Sequence, residues 1–168
     1  MSDKIEFLQL VRDHIGTLVD DDREKPSISD YVFFLGIPVG LAGLSAYIGI
    51  VLAGDAASLI VSALSILAGL LINVLVLLYT VQLVGPTETE KKEQQELIAQ
   101  VNKNLLFEIL ISGLAIGSIC LIPFASEPLN LIVSTFSVFL MGVFVLTLLM
   151  IMKRLKVLLN LRFKKVAP

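Results

Sequence analysis

Few side chains in this sequence could do chemistry, and they are scattered rather than clustered. Asn73 and Glu108 sit inside long apolar stretches, His14 is the single histidine and Cys120 the single cysteine. A zinc site or a His-based triad needs several ligands, or a base held beside a nucleophile. One thiol allows neither a disulfide framework nor a Cys-based metal site. No glycine-rich phosphate loop lies between a strand and a helix, and no nucleophile has a base next to it. The residues therefore predict no enzyme, no cofactor and no metal. Asn73 predicts an interhelical hydrogen bond worth about 0.6 to 2 kcal/mol, or, at one amide per subunit, the lining of an oligomeric pore. It continues a row that runs through Ser65 and Gly69. Glu108 is expected one turn inside its apolar stretch, close enough to the surface to reach water. Coupled transporters place paired ionisable groups near the bilayer midplane, and no apolar stretch here offers such a pair.

The elements that carry these groups are read from hydropathy. The 168 residues are 56% hydrophobic with mean hydropathy +0.89, above the roughly 45–50% of soluble domains, so the excess must face lipid. Four apolar stretches, 31–53, 56–84, 105–125 and 129–152, each exceed the roughly 20 residues that cross a hydrocarbon core as a helix. All thirteen Lys and Arg residues fall outside them, in 1–30, 85–104 and 153–168. Basic residues are retained on the cytoplasmic side. The prediction is an all-α integral membrane protein of the plasma (cell inner) membrane. Four transmembrane helices form two in-out-in hairpins, with both termini and the middle loop cytoplasmic. No basic segment followed by an apolar one opens the chain, so no cleavable signal peptide is expected. The expected organisation is a cytoplasmic amphipathic helix and charged linker over 1–26, hairpin one over 27–85, a cytoplasmic helix over 86–104, hairpin two over 105–152 and a basic tail over 153–168.

Small residues predict how the spans pack. Ala42, Ala46, Gly49 and Ala53 recur at 4-3-4 spacing in the first span, as do Ser58, Ser62, Ser65 and Gly69 in the second. Membrane helices associate by close backbone approach at small residues, so the two stripes are expected to pack the first hairpin. Gly36 with Gly40, and Gly113 with Gly117, add GxxxG pairs available within or between subunits. Pro38 removes a backbone donor and predicts a kink. Residues 59–65 (LIVSALS) and 131–137 (LIVSTFS) agree at five of seven positions. The match is compatible with a duplication that would give parallel repeats.

The cytoplasmic segments carry the candidate contacts. Leu8, Val11, Ile15 and Leu18 share one face of an amphipathic helix. Thr87 and Glu90 form a capping-box pattern that opens a second, polar helix, expected to run unbroken into the third span as one rod of about 55 Å. Its Leu97, Ile98 and Val101 lie on one side and could bundle with the first helix into a platform for a cytosolic protein partner. In the tail, Lys153, Arg154, Lys156, Arg162, Lys164 and Lys165 interleave with apolar residues, a pattern for snorkelling and anchoring at an anionic leaflet. No nucleic-acid partner is expected.

The expected function is that of a non-enzymatic, self-associating membrane subunit that presents cytoplasmic helices to a soluble partner. The alternative is an oligomeric passive channel for ions or small solutes. In architecture, small multi-span proteins of this design resemble the membrane components of bacterial anti-phage systems. That resemblance implies a scaffold, sensor or membrane-perturbing effector.

Overall fold

The computed structural model describes residues 28–80 and 88–166, and among them every regular element is a helix. Helix α1 spans Ile28–Ile48, α2 Gly54–Tyr79, α3 Glu88–Leu121 and α4 Glu127–Val166, with a 3-10 turn at Ile122–Phe124 between the last two. Three segments are long and apolar enough to cross a membrane: Gly54–Tyr79, Gln94–Phe124 and Glu127–Leu159. Leu59, Ile66, Leu77, Ile132 and Leu149 stand exposed along them, as lipid-facing residues do.

The first helix is shorter than expected. It spans 21 residues, about 31 Å at 1.5 Å per residue, and ends at Ile48 where the expected span ran on to Ala53. The reason is a helix stop at Gly49, which adopts φ +73°. The Gly49 N–H donates to Ala46 O at 3.2 Å and the Ile50 N–H to Ser45 O at 2.9 Å. This is the Schellman pattern, in which a left-handed residue lets the last carbonyls find donors. Gly49 therefore ends the helix rather than extending a stripe along it. A second left-handed glycine, Gly54 at φ +60°, opens α2. Asp55 in its first turn faces the positive end of the helix dipole.

The packing order is α1, α4, α3, α2. Helix α1 packs on α4, α4 on α3 and α3 on α2, whereas α1 and α2 make no contact with each other. The expectation that the Ala and Ser stripes would join the first two helices is thus overturned. The Ala stripe turns elsewhere: Ala42 is buried on α1, as is the nearby Ser45, and among the described helices α1 packs on α4 alone. On α2 the buried face is Leu64, Leu71 and Leu78. At 100° per residue, Ser58, Ser62, Ser65, Gly69 and Asn73 lie on the far side of the helix from those leucines. A Ser hydroxyl can return its proton to its own helix, and Ser62 and Ser65 do so, donating to Ser58 O and Val61 O. Packing apolar leucines on α3 leaves no such bond to be replaced.

Two features hold this order. The connection 49–53 reaches from one outer helix to the other past the turn that joins α3 to α4. On its way the Leu52 N–H donates to Ser134 Oγ of α4 at 3.1 Å. Pro38, fully buried on α1, sits against Gly142 of α4. The predicted kink residue is in fact the contact point between two helices.

The two longest helices settle the middle and the end of the chain. Helix α3 is continuous from Glu88 to Leu121, so the polar helix and the third apolar stretch are one rod, as expected. Helix α4 carries the basic tail onward without a break to Val166. At the turn between them, Asn130, with its amide nitrogen turned to the carbonyls, donates to Ile122 O at 2.7 Å and Ala125 O at 3.0 Å.

Candidate functional site

The buried polar groups concentrate on the seam between α3 and α4. On α3 they are Gln94, Asn104, Glu108, Ser112 and Ser118; on α4, Ser134, Ser137 and Thr147. Asn104, Glu108 and Ser112 recur every four residues and so lie on one face of α3. The anchor of the seam is a hydroxyl pair. Ser118 Oγ and Ser137 Oγ are 2.8 Å apart, and Ser137 Oγ also lies 2.8 Å from Val133 O, to which it donates. Ser118 Oγ is equally close to Ala115 O, so its proton has two acceptors.

That pair sets the register. Two helices joined by a short connection run antiparallel, so ten residues toward the start of α3 match ten toward the end of α4. The step is about 15 Å along each. It brings Glu108 and Thr147 to one level, and both are fully buried. Five residues further, Lys103 comes level with the boundary at Met152 and Lys153. The first basic residues of the two helices therefore mark one plane, with Glu108 about 8 Å to its apolar side.

Glu108 does not reach water as expected. Neither of its carboxylate oxygens has a hydrogen-bond partner among the described residues, nor has Thr147 Oγ1. Ser112 Oγ donates to Ile109 O of its own helix at 2.7 Å. The sequence showed Glu108 as a lone acid. The signal overlooked was its spacing from Asn104 and Ser112, because Asn104 was assigned to the cytoplasmic loop.

Beyond the Lys103 and Lys153 plane the seam continues. Val101 is fully buried, Gln94 and Leu158 nearly so, and Leu97, Ile98 and Leu155 pack against the same cluster. This corrects the role expected of the apolar face over 97–101. Val101 itself has no surface to offer a partner, whereas Leu97 and Ile98 are half-buried. Leu8, Val11, Ile15 and Leu18, the other half of the expected platform, lie outside the described residues. Of the anchoring residues, Lys153 and Lys156 are exposed and Arg154 half-buried. The side chains of Arg162, Lys164 and Lys165 are outside the description.

The pore or packing candidates Asn73, Ser65 and Gly69 are all exposed, so they serve no packing among the described residues. Cys120 is likewise exposed. Two grooves flank the seam. One, of about 540 Å³, lies beside the 49–53 connection and includes Leu52, Val61, Ile119 and Asn130 in its walls. The other, of about 450 Å³, runs between α1 and α4 past Leu41, Ser45 and Met141. Among the described residues no three His, Cys, Asp or Glu side chains come together to hold a metal ion. No family model, no curated protein and no solved structure matches this chain.

Proposed function

We propose that this protein is a non-enzymatic, self-associating subunit of the plasma membrane, a scaffold, sensor or effector that presents paired cytoplasmic helices to a soluble partner. Four spans, two in-out-in pairs and cytoplasmic termini are part of this reading. The observation that carries it is the continuation of both α3 and α4 past the plane of Lys103 and Lys153. Residues 88–102 of α3 and 153–166 of α4 extend about 20 Å beyond that plane. They keep a buried apolar face, with Val101 and Leu158 inside. Polar Gln95 and Glu96 remain outside. Such a stalk costs ordering entropy that a mere membrane anchor would not need. Its outer face is available to a protein, and the basic residues of α4 suit the cytoplasmic leaflet.

The test is affinity purification of the full chain from membranes. A cytosolic protein should be recovered in near-stoichiometric amount and lost when charge is reversed on the outer face of the stalk. Recovery of no such protein, or of one indifferent to the stalk, sinks the reading.

The exposed polar row on α2 favours a second reading, an oligomeric passive channel. An amide in lipid seeks a partner, and Asn73 faces away from the packed side of α2, where a second copy could supply one. Purified protein in liposomes should leave ion flux at background if the first reading holds. Conductance that disappears in Asn73→Ala would favour the channel.

A further inference from the structure

We propose that Glu108, with Thr147, Ser112 and Asn104 around it, is a binding site for one monovalent cation, a proton or a sodium ion, within the α3–α4 seam. The inference is independent of the partner reading and rests on the buried face of the same two helices.

A carboxylate withdrawn from water without donors costs several kcal/mol even after relaxation. Glu108 is fully buried and both its oxygens lack a donor among the described residues, so a small ion is left to supply the stabilising charge. The groups at its level are oxygen ligands: the two carboxylate oxygens, the Thr147 hydroxyl and, one turn to either side, the Ser112 hydroxyl and the Asn104 carbonyl oxygen. Hard cations take such ligands. A single acidic group balances a single positive charge, whereas a divalent ion would leave a net charge in a low-dielectric seam.

No fixed cation competes at that level. On α4 the nearest basic residue on the Thr147 face is Arg154, two turns nearer the cytoplasmic end and about 10 Å along the axis by register, while Lys153, one residue closer, is exposed. The neighbouring face of α2 brings Leu71, and that helix holds Asp55 and Tyr79 only at its ends. On α3 itself, Lys103 is exposed and more than one turn away. Glu108 lies close to the Lys103 plane, so parting α3 from α4 at the cytoplasmic end is a short route for the ion.

The experiment compares the full chain with Glu108→Gln, in detergent, by thermal unfolding over a range of pH and with sodium exchanged for choline. The amide keeps the shape and removes the charge. The wild type should lose stability relative to the variant as pH rises. Restoration of that loss by sodium but not by choline identifies the sodium ion, and indifference to sodium identifies the proton. A wild type and variant that respond in parallel to both pH and sodium overturn the proposal.

If the variant does not fold, carbodiimide labelling of the wild type decides. N,N′-dicyclohexylcarbodiimide modifies a protonated carboxyl in an apolar setting, and mass spectrometry locates the adduct. Labelling at Glu108 in choline supports the site. Severalfold suppression by sodium assigns it to that ion, and no labelling at Glu108 overturns it.

Discussion

Pro38 and Gly142 touch so closely that a Cβ on Gly142 would lie 3.0 Å from both the Cα and the Cβ of Pro38. Helices in lipid are held by this kind of backbone approach rather than by exclusion of water. The α1–α4 contact therefore depends on a hydrogen atom at position 142. Gly142→Ala should destabilise the protein by about 1–3 kcal/mol through overpacking, read as a lower midpoint of denaturation in micelles. Gly43→Ala is the control, since a Cβ there meets nothing within 4 Å; it should be neutral or stabilise by up to about 1 kcal/mol.

Gly49 tests backbone rather than packing. A Cβ there also meets open space, yet φ is +73°, a conformation that costs an L residue about 1–2 kcal/mol. Gly49→Ala should lower stability by that amount although no contact is disturbed. An unchanged midpoint would mean that α1 runs on past Ile48.

The hydroxyl pair of the seam calls for a double-mutant cycle. Ser118 and Ser137 can each satisfy themselves on their own helix, so the bond between them adds only a modest coupling. Ser118→Ala, Ser137→Ala and the double variant should give a coupling of about 0.6 kcal/mol, within the ~1.7 kcal/mol ceiling for such bonds in a membrane protein. A coupling of zero would remove the contact that sets the register of Glu108 with Thr147.

On the proposed reading the stalk beyond the Lys103 plane stands in water, where burial of apolar surface does stabilise. Val101→Ala removes the equivalent of two methylenes from a fully buried position and should cost about 1.5 kcal/mol. The exposed Gln95→Ala should stay within about 0.5 kcal/mol of the parent. Hydrogen exchange over residues 91–102 would show the difference, with faster exchange only in the first variant.

Much of the architecture was legible in the sequence. Hydropathy located the apolar segments, and the polar helix expected from about Glu88 does begin there and run on into the third of them. The early end of α1 was legible too, since Gly49 followed by apolar Ile50 is a stop signal; it was obscured by the small-residue spacing in which Gly49 also took part. The site was less visible. Asn104, Glu108 and Ser112 share a face by spacing, but a face has no meaning until another helix covers it.

Residues 59–65 and 131–137 show where sequence stops and tertiary structure begins. Both read Leu-Ile-Val-Ser followed three residues later by Ser, and both are helical and apolar, as composition alone requires. In α2, Ser62 and Ser65 are exposed and bonded to their own helix. In α4, Ser134 holds the crossing connection and Ser137 holds α3. Lipid is as apolar as a helix interface, so hydropathy determines that a segment leaves water without determining which of its sides meets protein. That was decided by position in the packing order: α4 lies between two neighbours and α2 has one.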